Sequence, residues 1–108
     1  MSITPEEIEF AKDLFSDLGP LTTRKMMGGL CLYLDGTIFS MVHPDLGIMI
    51  KGAGTFQEEL DEMGLTRWTY QRDKAPKPTA MPYWILPGSA LDDPEEACDL
   101  ACRALAHL

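Results

Sequence analysis

The sequence predicts an α+β domain of two layers, with three helices packed on a five-stranded, mainly antiparallel sheet in the order α-β-β-β-α-β-β-α. Two segments, one near each end of the chain, start with a capping residue and a proline and continue with apolar residues at helical spacing. Between them, short apolar runs rich in aromatic and branched residues are typical of strands. The 108 residues suit one domain, which is predicted to span positions 1–108.

The first helix is predicted over residues 5–18. Thr4 is a suitable cap and Pro5 suits the first helical position, whereas Gly19-Pro20 cannot continue a helix. Residues 21–28 follow without a clear apolar pattern. They are predicted to form a polar connection that carries two basic side chains.

Asp35-Gly36 lies between two apolar runs and predicts a tight β-hairpin, because a two-residue turn of this kind requires positive φ angles. Pairing outward from the turn gives three cross-strand pairs whose six side chains share one apolar face: Leu34–Thr37, Leu32–Phe39 and Leu30–Met41. The opposite face is also largely apolar. Since the predicted helices are enough to cover one face, the sequence predicts an exposed apolar patch on the other, and such patches usually mark protein contacts.

Gly28-Gly29 precedes this hairpin and raises the question of a phosphate-binding loop. Such loops place their glycines between a strand and the start of a helix, often as GxGxxG or with a Gly-Lys-Ser/Thr ending. Here the glycine pair leads into a strand, and the next predicted helix begins only after the hairpin and a third strand. We therefore expect the two glycines to permit a bend or a close approach of two backbones.

A third strand is predicted over residues 48–51. The second helix is predicted to begin at Thr55, with Glu58 completing a capping box, and to end at Gly64. This helix separates the first three strands from the last two.

The fourth and fifth strands are predicted over residues 66–71 and 79–86, joined by a polar loop over residues 72–78. Pro82 cannot donate a hydrogen bond to a neighbouring strand, so the fifth strand is predicted to lie at an edge or to contain a bulge. Asp93-Pro94 begins the third helix, whose apolar stripe runs to the C-terminus.

The charge balance opposes direct nucleic-acid binding. The chain has 17 acidic and 9 basic residues, for a formal net charge of −8, whereas a phosphate backbone attracts basic surfaces. The start of the chain lacks the basic and apolar regions of a signal peptide, and no apolar run is as long as a membrane helix requires. The sequence thus predicts a cytoplasmic protein that binds neither membranes nor nucleic acid directly.

Three cysteines, Cys31, Cys98 and Cys102, are an odd number and do not predict a disulfide framework. Their simplest interpretation is as small buried apolar side chains. Cys98 and Cys102 are four residues apart on a predicted helix, so with Cys31 or His107 they form an alternative zinc site. We expect no metal and no cofactor, and we identify no arrangement of catalytic residues.

Several segments together carry the pattern of a known family. They are RKMMGG at 24–29, LYLDG at 32–36, IMIK at 48–51, WTY at 68–70, MPY at 81–83 and LDDPE at 91–95. In order and spacing they resemble the TfoX (Sxy) N-terminal domain family over nearly the whole chain. The resemblance implies an antiparallel sheet with flanking helices, which agrees with the pattern of apolar residues.

What the resemblance implies about function is regulation rather than catalysis. TfoX proteins are bacterial regulators of natural competence genes and work with the cyclic-AMP receptor protein at promoters. Their N-terminal domains supply no catalytic residues that carry over to positions of this chain. Two-domain TfoX regulators have a second, C-terminal domain, and this chain is identified as a single-domain member of the family.

Eight residues are candidates for an interaction site: Arg24, Lys25, Gly28, Gly29, Tyr33, Lys51, Trp68 and Tyr83. The basic members are suited to an anion or an acidic partner, and the aromatic members are suited to a protein surface. Alternatives stay open at each position, because basic side chains also occur on solvated loops and strand ends, and aromatic side chains often fill cores.

The expected function is that of a non-enzymatic regulatory or adaptor domain, which acts through protein–protein contacts with the transcription machinery and forms a homodimer. The alternative is a small-molecule or metal-binding domain with an unrecognised activity. Convergence of Arg24, Lys25 and Lys51 on a deep pocket favours that alternative.

Overall fold

The computed structural model describes residues 3–26, 28–70 and 77–108. Within these ranges the chain forms four α-helices and one 3-10 turn: α1 Pro5–Leu14, the turn Ser16–Leu18, α2 Phe56–Glu62, α3 Gly88–Leu91 and α4 Pro94–Leu105. It forms six strands: β1 Leu21–Met26, β2 Gly29–Leu34, β3 Thr37–His43, β4 Gly47–Lys51, β5 Arg67–Tyr70 and β6 Thr79–Ile85. The loop predicted over residues 72–78 lies largely outside the described residues.

The strands form one sheet in the order β1-β2-β3-β4-β6-β5, and every neighbouring pair is antiparallel. The predicted α+β class with an antiparallel sheet is confirmed. The sheet has six strands rather than the predicted five, and a short helix, α3, precedes the last helix. No helix in the described part of the chain is both long enough and apolar enough to cross a membrane.

The additional strand is β1, where the sequence predicted a polar connection over residues 21–28. It pairs with β2 without interruption from Leu21↔Leu34 to Met26↔Gly29. An edge strand is held by backbone hydrogen bonds on one side, and its side chains can stay in solvent. Its threonines, Arg24 and Lys25 therefore do not alternate with apolar residues. That alternation is the pattern that predicts strands, so β1 was not predicted.

The predicted tight turn is confirmed, because Asp35 and Gly36 both have positive φ angles, 51° and 81°. The predicted register holds for Leu34↔Thr37 and then fails. A bulge beyond Tyr33 pairs Leu32 with Ser40 and Leu30 with Val42.

Phe39 is the extra residue of the bulge. It remains on the helix side of the sheet, where its ring meets Phe15 edge-on with a centroid distance of 5.2 Å. The bulge moves Met41 to the opposite face, against the prediction that it lies beside Leu30. The contact of Phe39 with Phe15 joins residues distant in sequence, and pairing outward from the turn does not include it.

All four helices pack on one face of the sheet. The main core joins α1, α2, α3 and α4 to side chains such as Leu32, Ile50 and Trp84. The other face, which we call the helix-free face, has a smaller cluster made of strand residues alone: Cys31, Met41, Met49, Trp68 and Tyr83, with Tyr33, Ile38, Met81 and Ile85 beside it.

The exposed apolar patch on this face is smaller than predicted, because the side chain of Trp68 covers part of the face. Trp68 of β5 meets His43 of β3 with a ring-centroid distance of 5.3 Å, although β6 and β4 lie between their strands. The indole therefore lies across the sheet. Beneath and beside it, Met41 and Met49 are 2% and 0% exposed.

The helix caps agree with the sequence at both ends of the chain. Thr4 Oγ1 accepts the Glu7 N–H at 3.2 Å, and Asp93 Oδ1 accepts the N–H groups that follow it in α4. The predicted cap at Thr55 is wrong. Thr55 has helical backbone angles and makes no capping bond, because a turn closed by Phe56 N–H and Ala53 C=O already precedes α2.

Candidate functional site

Charge is segregated between the two layers. None of the six strands that the structure describes contains an aspartate or glutamate, whereas the strands contain four cations, Arg24, Lys25, Lys51 and Arg67. Most of the 17 acidic residues lie in the helices and at their caps. An acidic protein thus has a basic sheet.

Two of these cations lie on the helix-free face. Paired residues of antiparallel strands point to the same side. Arg24 pairs with Cys31 and Lys51 pairs with Tyr83, and both partners belong to the cluster on that face. Tyr33 joins the same cluster from β2. The sheet therefore gathers two cations and two phenols around one buried thiol.

The cations of this face have no acidic partner among the described residues. The ion pairs among the described residues are Lys12–Glu9 and Arg103–Glu59, and both join residues of the helices. Lys51 Nζ lies 6.0 Å from the centroid of the Tyr83 ring, at the outer limit of a cation–π contact. Arg24 and Lys51 are thus charged groups that an anionic partner can reach.

Burial raises the pKa of two groups of the cluster, the Tyr83 phenol and the Cys31 thiol. Burial raises the pKa of Tyr83 to about 12, with smaller contributions from the neighbouring Cys31 and Tyr33. Burial also raises the pKa of the Cys31 thiol, and the ammonium of Lys51 offsets part of that rise. Protonated phenols and cations are donors, so the face is suited to binding carboxylates or other anions.

The structure brings together some of the predicted interaction residues and separates others. Arg24, Tyr33 and Lys51 share the helix-free face and reach solvent there. Trp68 and Tyr83 lie on the same face but are only 6% and 7% exposed, so they form its packed base. For these two aromatics, the alternative of core packing describes their position.

Lys25 does not join this group, because it pairs with Leu30 on the helix side of the sheet. There it lines a cavity of about 80 Å³ with Ile3 and Ile8. Arg24, Lys25 and Lys51 therefore do not converge on one deep pocket.

The glycine pair has the predicted backbone role. Gly28 has a φ of 79°, which favours glycine. A Cβ on Gly29 would overlap the carbonyl oxygen of Val42, so two backbones approach closely there. This position makes Gly29 a structural residue of the hairpin.

Three further residues belong to the site and were not predicted. A shallow depression of about 250 Å³ is lined by Arg24 and Tyr33 together with Thr22, Thr23 and Gly36. Thr22 pairs with Tyr33, and both threonines belong to the strand that the sequence search missed. Assignment of residues 21–26 to a strand is what identifies the two threonines as part of the site.

The alternative zinc site is not supported by the geometry. Cys98 and Cys102 lie on α4, on the helix side of the sheet, whereas Cys31 lies on the helix-free face. Among the residues described, no three His, Cys, Asp or Glu side chains are grouped to hold a metal ion.

The cysteines also differ in burial, against the prediction that all three are buried. Cys31 is buried, Cys98 is half-buried and Cys102 is exposed. Cys98 Sγ lies 3.5 Å from the carbonyl oxygen of Leu14. Burial raises the pKa of the Cys98 thiol, and the charge of Asp17 adds to that rise.

His43 is the last residue of β3. Its Nδ1 accepts the N–H groups of Asp45 and Leu46 at 3.0 and 3.1 Å, which closes the turn between β3 and β4. His107 stacks on Phe56 with a centroid distance of 5.8 Å, which ties the end of the chain to α2.

The family model described as the TfoX N-terminal domain matches residues 13–108, which is most of the chain. Among the curated proteins, none matches.

Proposed function

Because the chain belongs to the TfoX N-terminal domain family, we propose that it is a non-enzymatic regulatory adaptor that acts through protein–protein contacts. Its partner is a protein of the transcription machinery, and it acts in the cytoplasm. One observation carries the proposal. Two accessible cations, Arg24 and Lys51, lie together with Tyr33 on the helix-free face of an otherwise acidic domain.

The composition of this face supports a protein partner. Arginine and tyrosine are enriched at protein interfaces, and they often supply most of the binding energy. Here Tyr33 packs against the buried cluster of the helix-free face and Arg24 pairs with Cys31 of that cluster, so both are presented by a packed sheet. A rigid surface loses little conformational entropy on binding.

Direct nucleic-acid binding is not part of the proposal, because the net charge of −8 repels a phosphate backbone. The predicted homodimer stays a prediction. Trp68 covers part of the apolar face on which it was based. Light scattering coupled to size-exclusion chromatography over a range of concentrations determines the assembly.

The second candidate is a small-molecule-binding domain with an unrecognised activity. The cavity of about 80 Å³ between Ile3, Ile8 and Lys25 favours it, since it is apolar with one cation at its rim. A thermal-shift screen of small carboxylates and phosphates tests this candidate. Stabilisation that Lys25→Met abolishes supports it, and unchanged melting temperatures with all compounds count against it.

The adaptor proposal is tested by capture of partners from native cells. The tagged full chain is crosslinked in the cell, purified and analysed by mass spectrometry as wild type, as Lys51→Glu and as Lys77→Glu. Lys77 is exposed and lies two residues before β6, six residues before the Tyr83 that pairs with Lys51, so its reversal changes the net charge equally at a distance from Lys51.

We expect a transcription regulator or RNA polymerase to be enriched by the wild type and by Lys77→Glu and to be lost with Lys51→Glu. Recovery of the bait alone, at low salt and in several growth states, contradicts the proposal. Equal recovery with Lys51→Glu also contradicts it, because the contact then lies elsewhere on the molecule.

A further inference from the structure

Strand β1 is an open edge of the sheet. In the described sheet it has β2 on one side and no strand on the other. Its residues 22–26 are all exposed. An edge strand leaves alternate backbone N–H and C=O groups without a strand partner. β1 also contains no proline, and its pairing with β2 has no bulge, so a further strand can follow its whole length.

The side chains of this edge select the kind of strand that can join it. Arg24 points to the helix-free face and Lys25 to the helix side, so each face of the edge presents one cation. No strand of the sheet supplies a carboxylate beside them. An incoming strand that carries glutamate or aspartate gains cross-strand ion pairs on either face, and a basic strand meets like charges.

The depression of about 250 Å³ opens beside this edge. Its lining includes Thr22, Thr23 and Arg24, three consecutive residues of β1, so the depression lies along this edge strand. Arg24 contributes a guanidinium and Tyr33 a phenol, both of which donate hydrogen bonds. A carboxylate side chain from an added strand meets these donors.

We propose that β1 accepts an extended acidic segment of a partner protein as a seventh strand, with a carboxylate held between Arg24, Thr22 and Tyr33. The inference rests on the proposed adaptor function and names the chemistry of its partner. Backbone hydrogen bonds along β1 supply affinity that does not depend on sequence, and the cations supply selectivity for acidic segments.

A second copy of the chain is a poorer occupant of the same edge. Two β1 strands paired about a two-fold axis place Arg24 and Lys25 of one copy among the same cations of the other. Like charges on neighbouring strands are destabilising. The charge of β1 thus opposes self-association through the edge and favours an acidic strand.

The test is an NMR titration of the isotope-labelled full chain with labelled probe peptides of about eight residues, the length of an ordinary strand. The first peptide alternates glutamate and valine. The second replaces glutamate by lysine. The third is the first peptide with a methyl group on every backbone nitrogen, which removes the N–H donors of both edges and prevents it from forming a ladder. Each is measured against the wild type, Arg24→Glu and the matched variant Lys77→Glu.

We expect the glutamate peptide to shift the amide signals of residues 21–26 and to slow their hydrogen exchange. Arg24→Glu, the lysine peptide and the methylated peptide each weaken binding by about tenfold or more. Lys77→Glu changes the Kd by less than about twofold, because its charge lies outside the contact.

Three results obtained with the peptides or with the protein alone overturn the inference. They are equal binding by the methylated peptide, shifts centred away from β1, and concentration-dependent broadening of β1 signals without peptide, which indicates a second copy as occupant. A DNA oligonucleotide that shifts the same amides more strongly than the peptide also overturns it. If β1 stays unperturbed while Lys51→Glu still abolishes partner capture, strand addition fails and the adaptor function stands.

Discussion

The indole Nε1–H of Trp84 donates to Oδ1 of Asp61 at 2.8 Å, which ties strand β6 to helix α2 across the core. Trp84 is fully buried, at 0% exposed. Its ring also lies under the guanidinium of Arg67, with 4.5 Å between Cζ and the ring centroid. One aromatic side chain thus joins an edge strand, the sheet and a helix.

Removal of the acceptor leaves a buried N–H without its partner, and we predict that Asp61→Ala lowers the free energy of unfolding by about 1–3 kcal/mol. Urea unfolding followed by tryptophan fluorescence measures the change. The control is Glu62→Ala, an exposed neighbour on the same helix, which changes stability by less than about 0.5 kcal/mol. Equal effects of the two variants contradict the role of this hydrogen bond.

Gly29 is required by the close approach of β2 to β3. We predict that Gly29→Ala lowers the free energy of unfolding by about 1–3 kcal/mol, because the added methyl overlaps the carbonyl oxygen of Val42 and the strands must move apart. The matched control is Gly88→Ala, where no atom lies within 4 Å of the added methyl. Chemical unfolding of both variants separates this structural role from a role in binding, and a neutral Gly29→Ala refutes the former.

The raised pKa of Tyr83 makes the protein less stable at alkaline pH. The phenol has a pKa near 12 in the folded chain and near its ordinary value of 10.0 in the unfolded chain. Between these values the unfolded chain loses its proton first, so stability is complete below about pH 10 and falls as the pH approaches 12. The full loss due to this group, reached above pH 12, is about 2–3 kcal/mol.

The contribution of Tyr83 is measured by urea unfolding of wild type and Tyr83→Phe at intervals from neutral to strongly alkaline pH. Phenylalanine keeps the ring and removes the titrating group. We expect the two curves to be nearly parallel below pH 10 and the wild type to lose stability more steeply above it. Parallel curves throughout show that the folded phenol titrates as in the unfolded chain.

The three thiols are predicted to react with a maleimide in the order of their exposure. Cys102 is exposed and reacts in the folded protein, whereas Cys98 is half-buried with a raised pKa and reacts more slowly. Cys31 is buried with a raised pKa and reacts only on unfolding. Mass spectrometry of pulse-labelled peptides, with and without urea, gives the order. Labelling of Cys31 as fast as Cys102 in native buffer contradicts the packing of the helix-free face.

Local sequence patterns predicted those parts of the fold that local chemistry determines. The Asp35-Gly36 turn requires positive φ angles wherever it occurs, and the caps at Thr4 and Asp93 use side chains within three residues. The extra residue of the bulge, Phe39, packs instead on Phe15, which is distant in sequence. Strand β1 was missed because an edge strand is specified by its neighbour rather than by its own apolar residues.

For the candidate site, the sequence indicates residues but not their geometry. Arg24, Tyr33 and Lys51 were identified from residue type alone. Their common face follows from the pairings Arg24↔Cys31 and Lys51↔Tyr83, which require the strand order of the finished sheet. The same register separates Lys25 from Arg24, because adjacent residues of a strand point to opposite faces.

The separation of acidic helices from basic strands gives the molecule a permanent electric dipole moment directed across the sheet. A negatively charged partner at long range meets the repulsion of the net charge of −8 and also a torque that turns the strands toward it. The repulsion acts at long range and salt screens it first, whereas the ion pairs at contact lie within a Debye length of about 8 Å. Association with an acidic partner therefore becomes faster as salt is first added, the opposite of the behaviour of two proteins with opposite net charges.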